Sequence, residues 1–461
     1  MDNEIKLNGS RDNNMKRVLL DTACGKLYGL DNGRCREFRG VRFARAGRFE
    51  YAEPSERWEG TLDATVFGPG CPQNRAVHEH QENPTRRFYK KEFREGREYT
   101  YDEDCLNLNI YTPYEAEDAP VIVYFYGGGF DSGLNCEGAF DGSAFAEHGV
   151  VTVIANYRVG VLGYLTHSDL FAAYGREGNF GMDDQLTAVR WVRAHIADFG
   201  GNPDNITLMG QSAGAISIQY LCLNPAHEGL FRRAVMLSGA GKFPKLAQPK
   251  PAAKTREYWE QFIRLSGCGS FEELKTAPIE ILFDAVEAIR KQRKDNLYNT
   301  MPVVDGMLIP DGVGRLFGTP LPVDYMIGYT NADMYAPILA RIGNRFARKN
   351  DAYVYYFDLD APGDDNRAFH SSDVRYVFGT LDRSWRPYGE RDHKASDEMI
   401  AYISGFARSG DPNADCLPVW KKAGHGLRTR VLRIGKKGTR MAHVQYGKLL
   451  RNFLRRSDPI A

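Results

Sequence analysis

Residues Ile206–Gly214 read ITLMGQSAG and give the strongest indication of the fold. An apolar run that is typical of a buried strand leads into Gly210, and an alanine-rich helical pattern begins at Ala213. A serine with glycines two residues to either side, placed between a strand and a helix, is typical of a nucleophile elbow. The two glycines let the strand and the helix approach closely, which pushes the Ser212 hydroxyl into the open. The stretch therefore predicts an α/β fold with Ser212 at a strand-to-helix turn.

The same pattern has an ordinary explanation, in which the serine merely caps the helix of a strand–turn–helix. At the glycine and serine frequencies of this chain, a Gly-x-Ser-x-Gly match arises by chance roughly 0.2 times. A second glycine-rich stretch favours catalysis. Tyr126–Phe130 (YGGGF) follows an apolar run, and its three glycines can present backbone N–H groups to a ligand. Acyl transfer needs such donors where negative charge develops on a carbonyl oxygen.

Six short and almost wholly apolar runs accompany these motifs, as expected of parallel strands that helices cover on both faces. The runs are Val121–Tyr126, Val150–Ile154, Ile206–Met209, Ala234–Leu237, Tyr325–Ile327 and Tyr353–Phe357. Apolar residues three or four apart predict a helix over Asp183–Phe199, which Gly200–Pro203 ends. The alternation of strands and helices predicts an α/β protein with a mostly parallel, twisted central sheet flanked by helices.

The composition is that of an ordinary globular chain. Its 461 residues are 43% hydrophobic, and 60 Lys and Arg against 59 Asp and Glu leave a net charge of +1. A charge near zero argues against nucleic-acid and anionic-membrane partners, which depend on a basic excess. No apolar run approaches the roughly 18 residues of a membrane span. We predict a loose tail over residues 1–17 and a single domain with long insertions over 18–461.

The N-terminal sequence and the cysteines favour a cytoplasmic protein. Residues 1–17 read MDNEIKLNGSRDNNMKR, with acids among the bases and without the apolar run of a secretory signal. None of the 8 cysteines belongs to a Cys-x-x-Cys pair, which argues against zinc and thioredoxin-like chemistry. In a reducing cytosol these cysteines would mostly be free thiols.

Two further segments have a distinctive composition. His78–Asp104 is densely charged with little periodicity, so we predict a long surface excursion. Such a loop can form the rim of a binding site, although composition alone favours a merely solvated loop. Near the C-terminus, apolar residues at helical spacing predict an amphipathic helix that packs on the core (Leu449, Leu450, Phe453 and Leu454).

A serine nucleophile needs a base to accept its proton. Among the histidines that follow Ser212, His393 and His425 lie in charged or Gly/Lys-rich surroundings that are typical of solvated side chains. His370 lies instead in a loop of small residues after the predicted strand Tyr353–Phe357. His370 is therefore a candidate for the base, and His227 and His443 also follow Ser212 in the chain.

The base in turn needs a group that orients it. Asp333 follows the predicted strand Tyr325–Ile327 at its C-terminal edge, where the sites of α/β proteins assemble. Asp324 is the alternative, but it precedes this strand and would face the other end. With Asp333 as the acid, the chain order is Ser…Asp…His, which is the order of α/β-hydrolases.

Two longer motifs carry a resemblance to a known family. Phe199–Pro203 followed by Gly210–Gly214 (FGGNP…GQSAG) and Glu103–Asn109 (EDCLNLN) match the two signatures of type-B carboxylesterases. This family includes cholinesterases and bacterial para-nitrobenzyl-type esterases, and the chain is similar to it from about Gly25 to the C-terminal helix. The resemblance implies an α/β-hydrolase fold. It also implies a serine esterase that acts on a small-molecule ester without a metal or cofactor.

The resemblance assigns roles to individual residues. It implies a catalytic triad of Ser212 as nucleophile, His370 as general base and Asp333 as orienting acid. The family usually has Glu-Gly where this chain has Asp333-Met334, so the acid is the member of the triad at which the chain departs from the pattern. The chain is also shorter than many relatives between Gly239 and Pro302.

The resemblance extends to groups around the triad. It implies an oxyanion hole formed by the N–H groups of Gly128, Gly129 and Ala213, and it implies that Ser238 supports the orienting acid. Cys71 and Cys105 match a disulfide of secreted members, and without a secretion signal their oxidation state is left open.

Two alternative functions are compatible with the same motifs. One is a different acyl hydrolase, an amidase or a thioesterase, that uses the same site. The other is a non-catalytic adhesion protein, because some relatives keep the fold without the chemistry. Such relatives lack an intact triad and carry a secretion signal and a membrane span, so we favour the esterase. Local patterns indicate neither the acyl and alcohol groups of the ester nor the oligomeric state.

Overall fold

The computed structural model describes residues 15–74, 84–240, 249–294, 299–316, 319–333, 350–424 and 428–445. Its strands are β1 (Lys16–Thr22), β2 (Gly25–Asp31), β3 (Arg36–Arg42), β4 (Ala44–Arg45), β5 (Glu53–Pro54), β6 (Thr61–Asp63), β7 (Asn107–Thr112), β8 (Ala119–Phe125), β9 (Val151–Ala155), β10 (Gly201–Gln211), β11 (Arg233–Leu237), β12 (Asp324–Thr330), β13 (Ala352–Asp358), β14 (Arg428–Gly435) and β15 (Arg440–Gln445). Its helices are α1 (Pro84–Phe93), α2 (Ser143–Glu147), α3 (Gly160–Tyr164), α4 (Ser168–Tyr174), α5 (Phe180–His195), α6 (Ala213–Leu223), α7 (Arg256–Ser266), α8 (Phe271–Thr276), α9 (Ile279–Gln292), α10 (Val313–Leu316), α11 (Val374–Val377) and α12 (Glu390–Ser409).

One large sheet forms the centre of the protein. Within the described residues it has 13 strands in the order β1-β2-β3-β7-β9-β8-β10-β11-β12-β13-β14-β15, with β6 paired to β2. All neighbours from β9 to β14 run parallel, and antiparallel strands complete both sides. The six apolar runs form β8 to β13 and lie next to one another in this parallel part. The predicted fold, a mostly parallel sheet flanked by helices, is therefore confirmed.

The two predicted helices on either side of β10 are also present. The one predicted over Asp183–Phe199 begins three residues earlier as α5, and its last four residues, Ile196–Phe199, tighten into a 3-10 turn. Gly200 then adopts a left-handed conformation with φ of 81° and ends the segment. The helix predicted to begin at Ala213 is α6, which is almost entirely buried.

The charged segment His78–Asp104, predicted as a long surface excursion, contains a helix that its sequence pattern does not indicate. Residues 78–83 lie outside the described residues, but Pro84–Phe93 forms the helix α1. The residue that this helix buries is a carboxylate, Glu92, which interrupts the apolar spacing from which a helix is predicted. The ring of Phe88 also packs edge-on against that of Phe369, with the ring centroids 4.9 Å apart. The helix therefore packs on the protein through both a charged and an aromatic contact.

Three further predictions concern the chain ends and membrane spans. Residues 1–14 of the predicted tail lie outside the described residues, and β1 begins at Lys16. The predicted C-terminal amphipathic helix also lies outside them, and the single domain over 18–461 stays a prediction. Among the helices that the structure describes, none combines the length and the apolar character that crossing a membrane requires.

Candidate active site

Ser212 occupies a strained turn between β10 and α6. Its backbone has φ of 53° and ψ of −118°, a conformation that L residues rarely adopt and that costs about 1–3 kcal/mol. A Cβ on Gly210 would lie 2.7 Å from the carbonyl carbon of Gly214, and a Cβ on Gly214 would lie 2.1 Å from the carbonyl oxygen of Phe125. Only glycine fits at both places, so the predicted elbow is present.

His370 and Asp333 meet Ser212 at the C-terminal edge of the sheet. His370 lies in the loop after β13, and its Nε2 is 2.9 Å from the Ser212 Oγ. Its Nδ1 is 3.5 Å from Oδ1 of Asp333, which is buried just beyond the end of β12. The alternative acid, Asp324, begins β12 at the opposite end, where its carboxylate lies 3.6 Å from Arg233. The structure thus brings together the three predicted residues and leaves the alternative acid away from them.

A second buried carboxylate, Asp373, tunes the electrostatics of this group. The Tyr355 hydroxyl donates a hydrogen bond of 2.6 Å to Asp373 Oδ2. Burial is the largest cause that raises the pKa of Asp373, to about 6. Burial lowers the pKa of His370, but the charge and hydrogen bond of Asp333 and the charge of Asp373 outweigh it, so the pKa of His370 is raised above its ordinary value.

Sequence reasoning missed both Asp373 and the contact of Gln211 with the base. The Gln211 Nε2 lies 3.2 Å from the same His370 Nε2 that faces Ser212. The available signals were weak, namely an acid three residues after the candidate base and an amide directly before the candidate nucleophile. Neither position belongs to a local pattern that specifies a contact.

The glycine-rich stretch after β8 lies against the elbow. Gly128 and Gly129 have φ of 121° and 65°, and a Cβ on Gly128 would lie 2.0 Å from the carbonyl oxygen of Ser132. Both glycines line the same cavity as Ser212 and His370. Ala213 is the first residue of α6. The positions suit an oxyanion hole, and the role of the three N–H groups stays a prediction.

The structure places Ser238 and the two cysteines that the resemblance singles out. Ser238 follows β11 and is fully buried, but its Oγ makes no hydrogen bond within the described part of the chain, so its support of the acid stays a prediction. Cys71 and Cys105 are both buried as free thiols. A hydrogen bond with Cys71 is the largest cause that raises the pKa of Cys105, which places the two thiols side by side.

Helix α1 forms one wall of the cavity above Ser212. The cavity has a volume of about 260 Å³ and is lined by α1, by the glycine stretch and by the His370 loop. Among the described residues, no group of three or more His, Cys, Asp or Glu side chains is arranged to hold a metal ion. The cavity therefore presents the Ser212 hydroxyl, the His370 imidazole and the glycine stretch to a ligand of small size.

The fold and this edge of the sheet define the class of protein. A mostly parallel sheet with a serine at a strand-to-helix elbow, followed in the chain by an acid and a histidine, is typical of α/β-hydrolases. The model of the carboxylesterase family matches residues 16–344 and 334–451. The chain belongs to the carboxylesterase family and is a carboxylic-ester hydrolase.

Similar proteins agree with this assignment. The chain is 28% identical to the para-nitrobenzyl esterase of Bacillus subtilis (strain 168) over 87% of this chain and 92% of that protein. It is 29% identical to the bile salt-activated lipase of Mus musculus over 83% of this chain and 76% of the lipase. Among solved structures, a carboxylesterase of Geobacillus stearothermophilus is 27% identical with a TM-score of 0.76, over 95% of this chain and 100% of that chain.

Proposed function

We propose that the chain hydrolyses small-molecule carboxylic esters through a triad of Ser212, His370 and Asp333 and a covalent acyl-enzyme. The observation that carries this proposal is the 2.9 Å separation between Ser212 Oγ and His370 Nε2. At this distance the imidazole can accept the hydroxyl proton as the oxygen attacks. Asp333, 3.5 Å from the other ring nitrogen, holds the imidazole in the required orientation.

The first half of the reaction forms the acyl-enzyme. Ser212 Oγ bonds to the ester carbonyl carbon while its proton passes to His370 Nε2, and the carbonyl oxygen becomes an oxyanion. The N–H groups of Gly128, Gly129 and Ala213 donate hydrogen bonds to this oxyanion, and each donor lowers the barrier by about 3 kcal/mol. The bond to the alcohol oxygen then breaks, and His370 returns its proton to the departing alcohol.

The second half regenerates the enzyme. A water molecule gives a proton to His370 Nε2 and attacks the acyl carbon, which again places negative charge on the carbonyl oxygen. The bond to Ser212 Oγ breaks, the serine recovers a proton from His370, and the carboxylic acid leaves. Every proton transfer in both halves uses one nitrogen, so the histidine must be neutral when the cycle begins.

The Ser212→Ala variant tests the proposal. Removing the nucleophile should lower kcat for 4-nitrophenyl acetate by roughly 10⁴- to 10⁶-fold, with residual activity from the donors and from binding. Ser217→Ala is the matched control, because this serine lies further along α6 and the one hydrogen bond that its hydroxyl makes within the described residues goes to the backbone carbonyl of Ala213. Near wild-type hydrolysis by a folded Ser212→Ala protein would contradict the proposal.

A further inference from the structure

Residues 126–133, which follow β8 and are called here the glycine loop, fold back on themselves. A Cβ on Gly133 would lie 2.2 Å from the ring of Tyr126 and 2.8 Å from the carbonyl oxygen of Gly127. A Cβ on Gly128 would lie 2.0 Å from the carbonyl oxygen of Ser132. The returning half of the loop is therefore packed directly against the half that leaves the strand.

Two hydrogen bonds from the returning half orient the peptide bond between Gly128 and Gly129. The backbone N–H of Asp131 donates to the Gly128 carbonyl oxygen at 3.1 Å, and the Ser132 hydroxyl donates to the same oxygen at 3.3 Å. This peptide bond is trans, so its N–H points in the direction opposite to its carbonyl. The direction of the Gly129 N–H, one of the proposed oxyanion donors, therefore depends on the position of the returning half of the loop.

The side chain of Gln73 holds this returning half. Gln73 is buried, and its amide pairs with Gly133 in both directions: Nε2 donates to the Gly133 carbonyl at 3.1 Å, and the Gly133 N–H donates to Oε1 at 3.2 Å. Nε2 also donates to the carbonyl of Cys71, and Oε1 also accepts from Arg94, both at 3.1 Å. A primary amide has two N–H donors and two acceptor lone pairs, and these four contacts use all of them.

The four contacts also fix which way the Gln73 amide faces. The opposite orientation would set its N–H groups against the N–H donors of Gly133 and Arg94, and its oxygen against two carbonyls. Arg94 is in turn held by Glu137, to which its Nε donates at 2.8 Å. Because a buried polar group that loses its partner is costly, this network sets the position of the loop at Gly133.

We infer that Gln73 and Ser132 are positioning residues for the oxyanion hole. Gln73 anchors the glycine loop at Gly133, and Ser132 holds the Gly128 carbonyl so that the Gly129 N–H is directed at the oxyanion. This inference rests on the proposed function, because it concerns donors that the proposed mechanism uses. A donor that meets its acceptor mainly in the transition state raises kcat with little effect on substrate binding.

The Gln73→Met variant tests this role, because it replaces the amide with an uncharged side chain of similar length. For 4-nitrophenyl acetate we expect kcat to fall by about 10- to 100-fold and KM to stay within about twofold of wild type. The acid limb of kcat/KM, which reports the ionisation of His370, should not move.

Asn224→Leu is the matched control. The buried Asn224 amide also joins two backbone segments, because it donates to the carbonyls of Met307 and Leu308 at 2.6 and 3.1 Å. It lies at the end of α6 that is remote from Ser212. Both variants should lower the midpoint of urea unfolding, but Asn224→Leu should leave kcat for 4-nitrophenyl acetate unchanged.

A trifluoromethyl ketone, 1,1,1-trifluoro-2-butanone, measures the oxyanion contact without turnover. Ser212 Oγ adds to its carbonyl carbon, the serine proton passes to His370, and the carbonyl oxygen becomes an oxyanion, so the adduct resembles the tetrahedral intermediate. Its inhibition constant should rise in Gln73→Met by about the factor by which kcat/KM falls. Ser132→Ala leaves the Gln73 amide in place and should show the same pattern more weakly, with kcat about 3- to 10-fold lower.

The failure of this inference is distinguishable from the failure of the proposed function. Wild-type kcat and an unchanged inhibition constant in Gln73→Met, with Ser212→Ala inactive, would overturn the inference alone. A loss of kcat that Asn224→Leu reproduces would also overturn it, because the loss would then follow from lower stability. If Gln73→Met does not fold, Ser132→Ala decides: a wild-type kcat and inhibition constant in that variant would overturn the inference.

Discussion

Two regions border the cavity, and they are held in place by different contacts. The edge is the C-terminal edge of the sheet with Ser212, His370 and Asp333, and the wall is the helix α1 above it. At the edge, Ser212 is held by backbone geometry between two glycines that permit no side chain, and Asp333 by its place at the end of a buried strand. The wall is a single helix that depends on a few polar side chains, above all on the Glu92–Arg386 pair. The arrangement of Ser212, His370 and Asp333 is therefore fixed by the core of the fold, whereas the position of α1 depends on a small number of polar contacts.

Among the changes compared below, the largest loss of activity is expected when the orienting acid Asp333 loses its charge. Asp333→Asn keeps the size of the side chain but no longer stabilises the imidazolium or the required tautomer, so kcat should fall by roughly 10²- to 10⁴-fold. Asp324→Asn makes the same change at the other end of β12, beside Arg233. It should leave kcat for 4-nitrophenyl acetate unchanged. Equal kcat values for the two variants would show that Asp333 is not the orienting acid.

Changes in the α1 wall should lower the catalytic rate less than changes at the edge, and they should lower the stability of the protein more. Among the described residues, Glu92→Gln leaves the buried Arg386 cation with Asp364 as its one remaining anionic partner. Breaking such a buried pair costs about 3–5 kcal/mol. We expect a lower midpoint of urea unfolding and about a tenfold lower kcat/KM as α1 loses its position, with KM affected more than kcat.

Asp364→Asn is the matched control for this change. It removes a carboxylate from the same Arg386, but this carboxylate is partly exposed and does not belong to α1. Its effects on unfolding and on KM should be smaller than those of Glu92→Gln. The reverse order would contradict the view that Glu92 docks the helix.

The smallest expected effect is a shift in the pH dependence of kcat/KM when Asp373, the buried carboxylate that acts on His370, is replaced. Activity requires neutral His370, and Asp373 is one of the charges that raise the pKa of this histidine. Asp373→Asn should lower that pKa, so the acid limb of kcat/KM should move to lower pH, with about a threefold gain near pH 6.5 relative to pH 8. Because the pKa of Asp373 is about 6, the difference from wild type should vanish well below pH 6.

Asp382→Asn controls for the loss of a negative charge elsewhere. Asp382 is exposed beside His393 at 3.5 Å, and its replacement should leave the pH profile unchanged. An acid limb that does not move in Asp373→Asn would show that Asp373 does not act on the base.

The two parts also differ in how far the sequence predicts them. Ser212, His370 and Asp333 follow strands of the parallel core, where short motifs and strand order determine where a residue lies. The segment that forms the wall was predicted only as a long surface excursion, and its helix was not predicted, because its decisive contact joins Glu92 to Arg386, 294 positions apart in the chain. No local periodicity marks such a pair. The contact of Gln211 with His370 escaped prediction for the same reason, since it exists only once β10 and the His370 loop have come together.

The reaction of the protein with a fluorophosphonate tests directly whether His370 makes Ser212 a nucleophile. The geometry predicts one phosphonyl group per chain, attached to Ser212 in the peptide map, and a labelling rate that falls roughly 10³-fold in His370→Gln. A label on a different residue, or a His370→Gln protein that reacts at the wild-type rate, would contradict this mechanism.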